Sequence, residues 1–349
     1  MSPDDRLIRS HPARLAGVIA LATALVAAGG LLGTAAAGAS WPMAKTSQCP
    51  APAVVSGHVC VATYGTLKGD GERSVFTVPR HVRALTIAVW GAAGGGTLGG
   101  PADLGGLEGA FFTVRPGEKL ILIVGGTGGS PKQQASTGDW LPGKGGFGGG
   151  GAGGQMSGVA PGSSGGGGGS FVFGPHGVLL IAAGGGGGEA YCSPAAVGGN
   201  GGDAGSPGVA GQDGASSPES GGRTGHGGGG GTSHAGGKGG KGNPPAPHFP
   251  GPKGGTGANG TGPASQHRFG MGGRGGHAVP DGCSAGGGGG GYYGGGGGGG
   301  GGSFAGVGGG GGGSGYLDHA GHQTAAKVGA RPTFLTVGGG VITVSYALN

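Results

Sequence analysis

Short runs of alternating or wholly apolar residues lie scattered along the chain, and each predicts a β-strand. Ser74–Val78 (SVFTV) alternates. So does Ala84–Trp90 (ALTIAVW), with Leu85, Ile87 and Val89 on one face and Thr86, Ala88 and Trp90 on the other. Ala110–Val114 ends at the turn Arg115-Pro116-Gly117. Lys119–Val124 (KLILIV) is apolar on both faces, as a strand inside a sandwich is. Ser170–Phe173 and Gly177–Ala183 predict a hairpin about Gly174–Gly177. Thr333–Val337 and Val341–Tyr346 predict another about Gly338–Gly340. The runs are short, turn residues bound them, and nothing between them has a helical period. That is the pattern of an all-β sandwich.

Glycine fills the space between the strands. Gly286–Gly313 is glycine apart from Tyr292, Tyr293 and a cluster at Ser303–Val307. A residue without Cβ buries no side chain and loses more backbone freedom on folding than any other. Fixing it costs roughly 1–2 kcal/mol per residue. Composition alone, with 108 Gly and 23 Pro in 349 residues, favours a disordered tail. The alternative is an extended threefold helix of the polyproline II type, whose outward N–H and C=O groups can bond to neighbouring helices. Only glycine lets such backbones approach that closely. Strands on either side pin the ends of the glycine runs, which favours order. Gly199, Gly202, Gly205, Gly208, Gly211 and Gly214 fall three apart, the period of the same helix. Residues 189–282 read as a variable, partly mobile insert, with Pro244–Pro252 as a surface loop.

The N-terminus carries Arg6, Arg9 and Arg14, then an apolar stretch from Leu15 to about Leu32, then small residues up to Ala39. This is the layout of a secretory signal. The expected division is a signal at 1–39, a cysteine-containing lead-in at 40–73 and a glycine-rich β-sandwich domain at 74–349. No second apolar stretch of that length follows, so no transmembrane segment is expected after signal removal. Export accounts for the even cysteine count: Cys49, Cys60, Cys192 and Cys283. Three pairings can be drawn. A local clip Cys49–Cys60 and a long staple Cys192–Cys283 are favoured, the latter closing about 90 residues for roughly 4–5 kcal/mol. The spacings are not those of paired zinc ligands.

Five segments in order carry a family likeness: V-P-x-x-V-x-x-L-T-I-x-V-W-G-A-x-G-G-G (Val78–Gly96), R-P-G-E-K-L-I-L-I-V-G-G (Arg115–Gly126), G-G-F-G-G-G (Gly145–Gly150), L-L-I-A-A-G-G-G-G-G (Leu179–Gly188) and G-G-G-G-G-G-Y-Y-G-G-G-G (Gly286–Gly297). The set resembles the glycine-rich extracellular domain of the anaplastic lymphoma kinase and leukocyte tyrosine kinase receptors, and secreted bacterial proteins that share it. The resemblance covers residues 74–346. It implies a jelly-roll sandwich of the tumour-necrosis-factor type with an inserted polyglycine II-type helix bundle. In those receptors the domain helps bind small protein ligands outside the cell. This sequence has no kinase domain, so the resemblance carries no kinase activity with it.

The formal charge of +6 is mild and its residues are scattered. One RGG-like unit, Gly272–Gly276, is not an array, so no nucleic-acid partner is expected. Gly143-Lys144-Gly145 and Gly240-Lys241-Gly242 lack the Ser/Thr of a phosphate loop. Asp318-His319-x-x-His322 is the nearest approach to a metal motif; a solvated loop is the stronger reading. The 14 acidic residues are mostly isolated, which disfavours a paired-carboxylate hydrolase. No catalytic residue, cofactor or metal is therefore assigned. The candidate contacts are aromatic: Trp140, Tyr292, Tyr293, Phe304 and Tyr316. The competing reading of Tyr292 and Tyr293 is structural, one ring capping the bundle and one packing on the sandwich. Trp90 is expected in or near the core. The sequence thus predicts a secreted, non-catalytic binding or adhesion module for an extracellular protein or glycan. A structural cell-surface or cell-wall protein is the alternative, and an exported hydrolase a minor one.

Overall fold

The structure is a computed structural model that describes residues 49–65, 68–96, 103–155, 162–190, 201–215, 224–243, 256–265, 268–279, 282–302, 306–330 and 338–348. The expected signal segment, Pro244–Pro252, Cys192, Phe304 and the arm at 333–337 lie outside these residues. The fold is all-β, with antiparallel ladders. A six-stranded sheet holds β1 (Val54–Ser56), β2 (Val59–Tyr64), β13 (Val341–Ala347), β4 (Ala84–Trp90), β5 (Leu107–Thr113) and β12 (His322–Lys327), in that order. A five-stranded sheet holds β11 (Tyr316–Leu317), β10 (Leu179–Ala183), β9 (Ser170–Phe173), β6 (Lys119–Val124) and β3 (Glu72–Thr77). β7 (Lys132–Gln133) and β8 (Trp140–Leu141) form a small separate hairpin. Among the described residues no helix is long and apolar enough to cross a membrane.

The alternation of β4 places Leu85, Ile87 and Val89 in the core. They join Phe112 and Val344 of their own sheet and Leu120, Leu122, Val172 and Ile181 of the other in one apolar cluster. β6 is apolar on both faces because its sheet is covered on both. Ile123 and the partly buried Ile121 face a second cluster with Phe171, Phe173, Leu179, Ala182 and Ala264. A register shift in β10 between Leu179 and Ile181 lets that strand serve both clusters.

Two expectations about the strands change. Part of the expected lead-in is a strand of the six-stranded sheet: β2 pairs with β13 along Val59–Tyr64 and brings Cys60, Ala62 and Tyr64 into the core. The disulfide Cys49–Cys60 ties the chain before β1 to this strand. The hairpin drawn between 333–337 and β13 also gives way. β13 is flanked by β2 on one side and β4 on the other, so both of its edges are occupied by strands with apolar faces like its own. Cys283 is disulfide-bonded as well.

Glycine segments leave one end of the sandwich, where β4, β6 and β10 finish and β9, β11 and β13 begin. The buried Ser170 joins three of these ends. Its hydroxyl donates to the Trp90 carbonyl at 2.7 Å and accepts from the Gly125 amide at 2.9 Å. Beyond this point the segments bond to each other with a period of three. Gly294 and Gly297 donate to Thr261 and Ala258; Gly295 and Gly298 donate to Gly289 and Gly286; Gly296 and Gly299 donate to Gly229 and His226. The carbonyls repeat the pattern with three further segments. Those of Gly296 and Gly299 accept from Gly311 and Gly308, those of Gly294 and Gly297 from Gly237 and Gly240, and those of Gly295 and Gly298 from Gly273 and Gly276. Six other segments therefore surround residues 294–299.

Position in this array explains the local sequence. At the centre every position faces a neighbour. A Cβ on Gly294, Gly295, Gly296, Gly297, Gly298 or Gly299 would lie 2.0–2.2 Å from a carbonyl oxygen of another segment. On the rim every third position faces solvent. In 236–241 (GGKGGK) Lys238 and Lys241 are exposed, and in 272–277 (GGRGGH) Arg274 and His277 are exposed. Further out, one glycine in three suffices. Gly202 and Gly205 donate to Gly310 and Gly313, and Gly208, Gly211 and Gly214 donate to Gly231, Gly228 and Gly225.

Gly296→Ala should therefore destabilise the protein by more than about 4 kcal/mol, because its Cβ would meet the Lys238 carbonyl oxygen at 2.1 Å. Gly117 has φ +80° with nothing within 4 Å of a Cβ, so Gly117→Ala should cost only the left-handed backbone strain, about 1–2 kcal/mol. Denaturant unfolding of both variants measures the contrast. Equal losses would contradict the packing described.

Candidate functional site

The chain reverses at Tyr292–Tyr293, between two antiparallel central segments. Ser314 holds the reversal: its carbonyl accepts from the Tyr292 amide at 2.8 Å, its amide donates to the Tyr293 carbonyl at 2.9 Å, and its hydroxyl accepts from the Tyr293 amide at 3.0 Å. The interruption of the glycine run is thus a turn, placed where the run meets the sandwich. The Tyr292 ring stacks on Tyr316 of β11 with centroids 4.3 Å apart, and Tyr293 meets Tyr292 edge-on at 5.0 Å. All three tyrosines are half-buried. Tyr292 and Tyr316 pack against the outer cluster of the five-stranded sheet. The structural reading of Tyr292, a ring lying on the sandwich, therefore holds; its exposed part remains available at the seam.

Phe269 extends the aromatic surface, stacking on Phe171 at 5.4 Å and meeting Phe147 edge-on at 5.8 Å. Nothing in the local pattern marks Phe269, which follows Gln266, His267 and Arg268 in the chain. Of the expected contacts, the structure brings Tyr292, Tyr293 and Tyr316 together. Trp140 lies on β8, half-buried, and shares no ring contact with them among the described residues. Trp90, expected in or near the core, is half-buried. Burial raises the hydroxyl pKa of both Tyr292 and Tyr316, with smaller contributions from Tyr293 at the first and from Asp318 and Tyr292 at the second. Both hydroxyls stay protonated at neutral pH and act as hydrogen-bonding groups. That of Tyr316 reaches the Asp318 carboxylate at 3.4 Å.

The acidic residues are less isolated than their spacing indicates. Asp103 comes from the segment before β5, and the fold sets it near Glu189 and Asp203. Burial first, then the charges of Glu189 and Asp203, push its carboxyl up to about 7. Its Oδ2 is buried without a hydrogen-bond partner, while Asp203 Oδ1 accepts from the Leu104 amide at 2.8 Å. The cluster has the proton affinity of a general acid. Among the described residues no group of three or more His, Cys, Asp or Glu side chains is placed to hold a metal ion; Asp318, His319 and His322 form no such group. Glu108 is buried too. It accepts from the Ser206 hydroxyl at 2.6 Å and the Gln323 amide at 3.3 Å, and burial raises its pKa.

No protein-family model matches the chain, and no curated protein matches it.

The raised carboxyl fixes the sign of a pH effect. Between the ordinary value of 3.8 and about 7 the unfolded chain ionises Asp103 while the folded chain holds the proton. The native state then binds more protons, and stability falls as pH rises through that window. Glu108 acts in the same direction. Asp103→Asn should flatten this slope and raise the melting temperature at neutral pH while changing it little in acid. A melting series against pH checks both.

Proposed function

We propose that the chain is an exported, non-catalytic binding module: a jelly-roll sandwich that carries a bundle of polyglycine II-type helices. The observation that carries the reading is the tyrosine seam. Three half-buried aromatic rings, Tyr292, Tyr293 and Tyr316, are presented from a hydrogen-bonded turn and a sheet edge, with the hydroxyls of Tyr292 and Tyr316 protonated. Tyrosine on a rigid support gives large amphipathic contact area at small entropy cost. What supports the helix bundle is the rotation of successive amides among three neighbours, the symmetry of a threefold helix. The crossing of the chain from β2 to β3 to β4, and from β5 to β6, between the two sheets supports the jelly roll. The arginine-containing start and apolar stretch at 6–32, with the disulfide Cys49–Cys60, support export.

The ligand belongs to the extracellular space and is protein or glycan. The test is an array of extracellular glycans and peptides probed with the purified mature chain and with Tyr293→Ala. Specific binding weakened about tenfold by the substitution is the expected result. Gel filtration gives the second arm. A compact monomer is expected, and self-assembly into polymers would assign the chain to the structural proteins of the cell surface instead.

A further inference from the structure

The end of the sandwich away from the glycine segments has a different chemistry. The turns 57–58, 78–83, 114–118 and 174–178 meet there, as the registers of the strands they join require. They bring Arg80, His81, Arg83 and Arg115 to one end, with Lys119 at the start of β6. The acid among them, Glu118, is engaged locally: its Oε2 accepts from the Arg115 amide at 3.0 Å. Among the described residues no ion pair to Arg80, Arg83 or Arg115 is seen.

A groove of about 350 Å³ opens between the 78–83 turn and the outer face of the six-stranded sheet. Its floor is a row across three strands. Thr86 of β4 lies opposite Phe111 of β5 on one side and Ser345 of β13 on the other. Ala84 and Ala347 continue the floor, and His81 and Arg83 stand at its rim. Phe111 is 39% exposed, a large ring left open to solvent on β5, one strand in from the edge and opposite His322 of β12.

We infer that this groove binds a uronic acid unit of an extracellular polysaccharide. The volume suits a ligand of one or two sugar rings. The Phe111 ring offers an apolar surface to the C–H face of a pyranose. The hydroxyl of Thr86 can exchange hydrogen bonds with ring hydroxyls, and that of Ser345, which donates to the Thr86 carbonyl at 3.3 Å, can accept one. The Arg83 guanidinium is a planar fork that matches a planar carboxylate, and one permanent positive charge at the rim balances one negative charge on the sugar. A peptide is disfavoured. β13 and β4 are hydrogen-bonded on both sides, so no free strand edge in the floor is open to an added chain. This proposal rests on the reading of the chain as a binding module and names a ligand class and a second face for it.

The test is calorimetric titration of the full mature chain with tetragalacturonate and with its methyl ester. The variants are Arg83→Gln and Phe111→Ala, both on exposed side chains, with unchanged melting temperature as the folding control. The expected result is saturable binding of the acid form, weakened about tenfold or more by esterification and by each substitution, and weakened by added salt. Absence of binding, or equal binding by both variants and the ester, overturns the proposal. The two readings fail separately. Ligands from the glycan and peptide array that are lost in Tyr293→Ala but kept in Arg83→Gln would leave the binding module standing without this groove. Uronate binding lost in Arg83→Gln and kept in Tyr293→Ala, with no array ligand lost in Tyr293→Ala, would leave the groove standing without the tyrosine seam.

Discussion

The structure depends on one requirement: main-chain N–H and C=O groups packed out of water must find partners in other segments. A buried polar group without a partner costs about 1–3 kcal/mol, and a run of glycine has no side chain with which to offset it. Residues 294–299 meet the requirement by turning through three directions and reaching six other segments. Any side chain at the centre would occupy the position of a neighbour's carbonyl oxygen. Close approach and hydrogen bonding are therefore one constraint, and glycine is its solution.

Such an array cannot start by itself, since each hydrogen bond adds little net stability and each glycine is costly to order. The sandwich supplies the boundary. Its strands deliver chain ends already spaced and aligned, and Ser170 ties three of them together at the junction. Glu108 ties a fourth point, holding the Ser206 bend against β5. The sheets in turn need the array. Tyr292 and Phe269, which come from the glycine region, cover the outer face of the five-stranded sheet and shield Ile123, Phe171 and Phe173 from water. Core and array complete each other.

Local pattern in the sequence predicted the strands whose apolar alternation is complete within the run, such as Ala84–Trp90 and Lys119–Val124. It did not predict β12, His322–Lys327, which is exposed along its whole length and exists through pairing with β5. β1 and β2 were hidden by a composition that resembles a linker. The threefold spacing of Gly202, Gly205, Gly208, Gly211 and Gly214 was legible, and each of these amides donates to another segment. The meaning of GGK and GGR was not legible, because which third position faces solvent depends on where a segment sits in the array. Tyr292, Tyr293 and Tyr316 were visible as aromatic interruptions. Their contact, and the meeting of Asp103 with Glu189 and Asp203, came from segments far apart in the chain.

The most direct measurement is amide hydrogen exchange by NMR, resolved across 286–302 and 306–313. If the glycine amides are donors within the array, those of Gly294–Gly299 exchange as slowly as the amides of β4 and β13. Exchange at the rate of an unstructured glycine chain, with β4 and β13 still protected, would mean that the array does not exist in solution and would contradict the account.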